Sequence, residues 1–190
     1  MKPTGQRAAL LLIDFFSPLR LAPSLAPWAL KAARHAVRLK AQAKGAGLPC
    51  IYINDNFGEW QSEFSRVVER SRAVGGTTGG IAELMAPAAD EPTFLKPRHS
   101  AFYGTGLEFL LDQLQVSRLI LTGLQADICI FYTAQDAFVR QYQLWIPANC
   151  VGAQHNPHYR AALSQMRRNL KASTAPAGPA LALRARFPSR

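Results

Sequence analysis

Acidic side chains are missing from the C-terminal part of the sequence: none follows Asp136, whereas eight lysines and arginines do. The whole chain carries a net charge of +10. Such a balance allows contacts with nucleic acids or acidic substrates, but it equally promotes solubility. The sequence contains neither a recognition helix nor an RNA-binding motif that combines aromatic and basic residues, so we do not expect nucleic acid to be the partner.

Long apolar runs and paired cysteines are also missing. No run of 18 apolar residues occurs, so no membrane-spanning helix is expected. The apolar segment 8–13 ends at Asp14 after six residues, which is too short for a secretory signal. The three cysteines, Cys50, Cys129 and Cys150, are odd in number and widely spaced, which argues against a disulfide framework and a C-x-x-C metal site. We therefore expect a protein of the reducing cytoplasm.

What the sequence does contain is an alternation of strand-like and helix-like segments, within a length that fits one domain. Alternation of this kind predicts a three-layer α/β/α, Rossmann-like fold, with a mostly parallel sheet and helices on both faces. Ligands then bind beyond the C-terminal ends of the strands. The predicted strands are 8–13, 48–55, 93–97, 118–123 and 143–147, and the predicted helices are 28–44, 61–70, 107–114, 127–141 and 157–170.

Two segments fall outside this alternation. The glycine-rich segment Val74 to Gly80 is predicted to be a flexible connection, and it is not a phosphate loop because no Lys-Ser/Thr follows it. From Ser173 onward the composition shifts to alanine, proline and arginine. We therefore predict a catalytic or binding domain over 1–172 and a basic tail over 173–190 that is extended or disordered on its own.

Polar residues follow the predicted strands. Asp14 comes after the first strand, Asn54 and Asp55 end the second, Lys96 lies in the third, and a turn over 123–129 follows the fourth. A charge buried in this position needs a partner, and a structural ion pair between an aspartate and a lysine would explain two of these residues. It would not explain the cysteine in the turn.

Cys129 stands at the start of a predicted helix. An isolated cysteine is often a small buried hydrophobic residue. In the first turn of a helix, however, the helix dipole and a nearby ammonium group favour the nucleophilic thiolate. A neighbouring carboxylate can also accept a proton from the thiol or from water. The two interpretations predict different chemistry, and the pattern alone leaves both open.

Four fragments in order, "ALLLIDFFSPL", "YINDNFGEW", "FLKPRHSAFYGT" and "LTGLQADICIFYTAQDAF", resemble the isochorismatase-like cysteine hydrolases. This superfamily also contains nicotinamidases and N-carbamoylsarcosine amidohydrolase, and the resemblance covers roughly residues 8–170. It implies a catalytic triad of Asp14, Lys96 and Cys129. It also implies a cis peptide bond between Leu124 and Gln125, which would direct the backbone N–H groups of Gln125 and Cys129 towards an oxyanion.

The implied activity is hydrolysis of a small amide, ureide or related carbonyl compound through a thioester on Cys129. One alternative is an isochorismate-type hydrolase of a vinyl ether, which does not need the cysteine. A second alternative is a binding module of the same fold without catalysis. Phe57, Trp60 and Tyr103 flank the motif loops and are predicted to wall an apolar substrate pocket.

No metal or other cofactor is expected. Nicotinamidases carry an Asp-x-His motif and a further histidine for a metal, whereas the matching stretch here is Asn54-Asp55-Asn56. Metal dependence and nicotinamide as substrate are therefore not expected. His155 and His158 open a predicted helix, where we expect surface residues and not metal ligands. The expected partners are a small-molecule substrate and further copies of the same chain, with no membrane.

Overall fold

The computed structural model describes residues 7–180 and Phe187. Within these residues a parallel sheet of six strands lies between two layers of helices, so the predicted three-layer α/β/α fold is confirmed. The strands are β1 (Arg7–Ile13), β2 (Cys50–Asp55), β3 (Thr93–Lys96), β4 (Val116–Leu124), β5 (Gln143–Trp145) and β6 (Val151–Gly152). The helices are α1 (Ala26–Gly45), α2 (Phe64–Ala73), α3 (Gly76–Met85), α4 (Leu107–Gln113), α5 (Cys129–Val139) and α6 (Asn156–Leu170).

The order of the strands places the N-terminal strand in the middle of the sheet. The order is β3-β2-β1-β4-β5, and β6 pairs with the end of β4. Side chains of β1 alternate between two buried clusters, because successive residues of a strand face opposite sides. Leu10 and Leu12 pack towards α1, α2 and α3, whereas Leu11 and Ile13 pack towards α4, α5 and α6. Burial on both faces is why this strand is a continuous apolar run.

The prediction for the glycine-rich segment 74–80 is wrong, because helix α3 begins there at Gly76. Gly79 permits close packing against the preceding helix. A Cβ atom on Gly79 would lie 2.8 Å from the carbonyl oxygen of Arg72 in α2. Sequence patterns penalise glycine in a helix, but tertiary packing overrides that preference here.

The first residues of the predicted tail are extended against the sheet. Ser173 donates its N–H to the carbonyl of Leu144 at 2.9 Å and accepts the N–H of Ile146 at 2.8 Å. The indole Nε1 of Trp145 donates to the carbonyl of Ala175 at 2.7 Å. The boundary at residue 172 remains a prediction, and residues 181–186 and 188–190 of the tail lie outside the described residues.

No helix in the part of the chain that the structure describes has the length and apolar character needed to cross a membrane.

Candidate active site

Three of the residues predicted to be functional meet at the C-terminal edge of the sheet. Asp14 directly follows β1, Lys96 is the last residue of β3, and Cys129 is the first residue of α5. The Nζ atom of Lys96 lies 2.8 Å from Oδ2 of Asp14 and 3.7 Å from Sγ of Cys129. The lysine side chain is fully buried, and it reaches these partners across β2, which separates β3 from β1.

Asp55 completes the polar contacts of this cluster. Its backbone N–H donates to Oδ1 of Asp14 at 2.7 Å, and its own carboxylate lies 3.7 Å from Nζ of Lys96. Both oxygens of Asp14 therefore face a donor, one from the backbone and one from the lysine. The lysine in turn faces two carboxylates, which offsets the cost of its burial.

The turn that leads to Cys129 depends on one glycine. Gly123 has a φ of 128°, and a Cβ atom there would lie 1.8 Å from the carbonyl oxygen of Ile13. Only glycine therefore lets the end of β4 run this close to the end of β1. One residue further along the chain, the peptide bond between Leu124 and Gln125 is cis.

Beyond the cis bond, the loop is attached to β6 and to the start of α5. Ala126 donates its N–H to the carbonyl of Gly152 at 2.8 Å, and the carbonyl of Gln125 accepts the N–H groups of Ile128 and Ile130. The backbone N–H groups of Gln125 and Cys129, by contrast, donate to no acceptor among the described residues. Both residues line the same pocket, so these two donors are free for a ligand.

The charges of the cluster favour a protonated Cys129. Burial raises the pKa of the Cys129 thiol, the carboxylate of Asp14 raises it further, and Lys96 lowers it by a smaller amount. Burial also raises the pKa of Asp14, although the ammonium of Lys96 acts in the opposite direction. The ammonium of Lys96 favours the thiolate, as the sequence predicts, but burial and Asp14 act more strongly in the opposite direction. The site holds a thiol beside a carboxylate whose raised pKa makes it a better proton acceptor.

Lys96 itself remains charged. Burial alone lowers the pKa of its ammonium group, but the carboxylates of Asp14 and Asp55 act against this effect, and the net pKa is raised. The lysine is therefore a fixed positive charge beneath the thiol.

A pocket of about 340 Å³ opens in front of Sγ of Cys129. Its walls are largely apolar, and they include Phe16, Leu21, Leu25, Phe57, Leu124 and Ile128. Of the three aromatic residues predicted to bind substrate, only Phe57 lines this pocket. Trp60 and Tyr103 lie outside its lining, with side chains that are 79% and 61% exposed. Their role remains a prediction that this pocket does not support.

The pocket also contains a residue that sequence reasoning missed. His99 lines the pocket, and its Nδ1 lies 3.9 Å from Sγ of Cys129. Its ring is stacked on Tyr132 of α5, with 5.4 Å between the ring centroids. The only signal in the sequence was its position three residues after Lys96, within a stretch of loop.

The residues at the position of the nicotinamidase metal motif do not fit a metal. The side chain of Asn54 is buried and occupied by the backbone of Phe16, to which it is joined by hydrogen bonds of 3.1 and 3.0 Å. Oδ1 of Asn56 accepts the N–H of Gly58 at 2.9 Å. Neither amide offers the imidazole nitrogen of that motif, so we derive no step through a metal.

His155 and His158 are exposed at the start of α6. Nδ1 of His158 lies 3.5 Å from a carboxylate oxygen of Asp127. No group of three histidine, cysteine or acidic side chains suited to a metal occurs within residues 7–180 or at Phe187.

The comparison with known proteins now identifies the family. The model of the isochorismatase domain matches residues 8–177. The chain belongs to the isochorismatase family. It is 34% identical to the uncharacterised isochorismatase family protein YaaI of Bacillus subtilis over 160 residues, which cover 83% of this chain and 87% of that protein.

Relatives with a named activity are amidohydrolases. The chain is 31% identical to the ureidoacrylate amidohydrolase RutB of Methylobacterium radiotolerans over 125 residues, which cover 55% of this chain and 48% of that protein. The crystal structure of N-carbamoylsarcosine amidase from Thermoplasma acidophilum matches with a TM-score of 0.71 and 27% identity, and the match covers 90% of this chain and 96% of that one. The chain is thus a hydrolase of the isochorismatase family.

Proposed function

We propose that this chain is a metal-independent cysteine amidohydrolase that cleaves a small amide, ureide or related carbonyl compound. One observation carries the proposal: the thiol of Cys129 and the carboxylate of Asp14 line a single pocket, and the buried ammonium of Lys96 contacts both of them from beneath. If Asp14 and Lys96 formed only a structural ion pair, no cysteine would be needed in contact with them on the side that faces the pocket.

The reaction begins with attack of Sγ of Cys129 on the substrate carbonyl carbon. The thiol proton moves to Asp14, whose raised pKa suits it to this task. The oxyanion accepts hydrogen bonds from the free N–H groups of Gln125 and Cys129. Asp14 then returns the proton to the leaving nitrogen, the C–N bond breaks, and a thioester remains on the enzyme. Lys96 supplies a fixed positive charge that favours negative charge on sulfur as it develops.

Pocket size and composition support a small substrate with an apolar part. A space of about 340 Å³ lies at the lower end of the range for small-molecule sites. The two relatives described above are named for ureidoacrylate and N-carbamoylsarcosine, and both names denote small compounds with a C–N bond next to a carbonyl. The cysteine on the pocket wall favours acyl transfer over the two alternatives, vinyl ether cleavage and ligand binding without catalysis.

A screen for ammonia release tests this proposal. The parent protein and Cys129→Ala would be incubated with small amides, carbamates and ureides, with and without EDTA. We expect turnover of at least one compound by the parent alone, unchanged by the chelator. Turnover that survives in Cys129→Ala would overturn the cysteine mechanism, and loss of activity in EDTA that zinc or iron restores would overturn metal independence.

The compartment and assembly are further parts of the proposal. We infer a cytoplasmic homo-oligomer that acts on a small molecule without a nucleic-acid or membrane partner. Light scattering coupled to size-exclusion chromatography tests the assembly, because a monomer at micromolar concentration would contradict it.

A further inference from the structure

His99 approaches the nucleophile from a different direction than the buried triad residues. Its Nδ1 lies 3.9 Å from Sγ of Cys129, within hydrogen-bonding range of a sulfur atom. The imidazole is exposed at the opening of the pocket, whereas Oδ2 of Asp14 is buried. Cys129 therefore has one proton acceptor on its protein side and a second on its solvent side.

The side chain of His99 is held in place by its neighbours. Its ring is stacked on that of Tyr132, with an angle of 27° between the two planes. The next residue, Ser100, is anchored by a hydrogen bond from its hydroxyl to the carboxylate of Asp136 at 2.5 Å, and its neighbour Ala101 donates its N–H to Thr133 at 3.0 Å. Three contacts with α5 thus fix the loop that carries the imidazole relative to Cys129.

The second half of the proposed reaction needs a base on the solvent side. Once the thioester has formed and the amine has left, the water that hydrolyses it enters through the open part of the pocket. Both oxygens of Asp14 are engaged, Oδ1 by the N–H of Asp55 and Oδ2 by the ammonium of Lys96. Asp14 also reaches the pocket, but its carboxylate is paired with the ammonium of Lys96, whereas the imidazole of His99 is exposed where water enters.

We propose that His99 is a second catalytic residue, which acts as the base and then as the acid in hydrolysis of the thioester on Cys129. The inference rests on the proposed function. Neutral His99 accepts a proton from water while the water oxygen bonds to the thioester carbon. The C–S bond then breaks, the acid leaves, and the imidazolium returns its proton to Sγ through Nδ1. The thiol and the neutral imidazole are restored, and no other reactant is consumed.

The charged groups around His99 suit this exchange. Cys129 and Tyr132 face it from α5, and Asp14 and Asp55 line the same pocket after β1 and β2. The ammonium of Lys96 lies beneath the sulfur, in contact with Asp14. Histidine is the side chain that gains and loses protons readily near neutral pH.

Acetylation by p-nitrophenyl acetate tests this inference without knowledge of the natural substrate. The nitrophenolate burst reports formation of acetyl-Cys129, and intact mass spectrometry follows its loss over a range of pH. The test variant is His99→Phe, which keeps an aromatic ring against Tyr132. We expect a burst of parental amplitude and deacetylation slower by about 10²-fold or more. The pH profile of deacetylation should differ between the variant and the parent.

Two controls separate catalysis from structure. His155→Phe removes an exposed histidine that does not line the pocket, and it should leave both phases unchanged. His99→Ala leaves space for free imidazole, which should restore deacetylation in part. Deacetylation in His99→Phe that matches the parent in rate and pH profile would overturn the inference but not the proposed function. Acetylation that is no faster in the parent than in Cys129→Ala would overturn both.

Discussion

At the scale of single residues, the site is a thiol next to an ion pair. Burial and Asp14 raise the pKa of the Cys129 thiol, burial raises the pKa of Asp14, and Lys96 supplies the charge that allows the carboxylate to be buried. A cysteine variant therefore removes the nucleophile without disturbing the pair. We expect Cys129→Ala and Cys129→Ser to keep the circular dichroism spectrum of the parent and to lose hydrolysis.

Cys129→Ser is the more informative of the two variants, because it places a hydroxyl group where the parent has a thiol. A hydroxyl is less acidic than a thiol and a weaker nucleophile in the same environment. Initial rates on any substrate found in the screen provide the measurement. A hydrolysis rate of Cys129→Ser within tenfold of the parent rate would contradict nucleophilic catalysis by sulfur.

The two partners of Cys129 should shift its pKa in opposite directions. Burial is the main cause of the raised pKa, Asp14 adds to it and Lys96 opposes it. Alkylation by iodoacetamide requires the thiolate, so its rate rises with pH through the pKa of the thiol. Lys96→Met should move this profile to higher pH, and Asp14→Asn should move it to lower pH. Profiles that overlay the parent in both variants would reduce the lysine and aspartate to a structural pair.

Cys50 and Cys150 serve as internal references for this experiment. Both are buried, and burial raises the pKa of each thiol, as it does for Cys129, so access to the reagent distinguishes the three cysteines. Peptide mapping should find the label on Cys129 first, because only this cysteine lines the pocket. Lys96→Met should also lose about 3–5 kcal/mol of stability, since it leaves the carboxylate of Asp14 without its partner. Alkylation is therefore compared only under conditions in which each variant is folded.

At the scale of the elements, the contact between β1 and β4 sets the geometry of the site. A Cβ atom at position 123 would overlap the carbonyl of Ile13, and both groups belong to backbone that cannot shift without separating the strands. We expect Gly123→Ala to unfold the protein or to lower its melting temperature by more than 10 °C. Thermal unfolding followed by circular dichroism measures this.

Gly80→Ala is the matched control in helix α3. Nothing lies within 4 Å of a Cβ atom at this position, and its φ is not in the left-handed region. Alanine there should therefore be neutral or stabilise the protein by roughly 0.5–1 kcal/mol through helix propensity. Equal behaviour of the two variants would show that the close approach of β1 and β4 is not what requires glycine at position 123.

How well the sequence predicts the structure also depends on the type of element. Strand β1 and the residues that follow it were predictable, because a buried parallel strand is a short apolar run that ends where polar chemistry begins. Helix α3 was not, since sequence patterns disfavour glycine in a helix and the close contact of Gly79 with α2 is visible only in the structure. His99 was missed for a similar reason, because its distance from Cys129 depends on how the loop after β3 is anchored to α5.

At the scale of the whole molecule, the segment after residue 172 is attached to the body. Besides Ser173 and Trp145, Asn149 holds Ala177 by two hydrogen bonds of 3.0 and 2.8 Å. Further along, Phe187 is buried and packs edge-on against the indole of Trp145, with 6.4 Å between the ring centroids. These contacts cover β5, which is otherwise the edge of the sheet on that side.

Truncation after residue 172 should therefore destabilise the protein, because the segment that follows contributes contacts to the folded domain. An unprotected edge strand also exposes backbone groups that promote aggregation. Each hydrogen bond lost costs roughly 0.5–1.5 kcal/mol, so the bonds of Ser173, Ala175 and Ala177 together amount to several kcal/mol. A truncation after residue 180 keeps these bonds and removes the buried ring of Phe187. In urea unfolding we expect the shorter protein to be clearly less stable than the longer one, and equal midpoints would show that residues 173–180 contribute nothing to the stability of the domain.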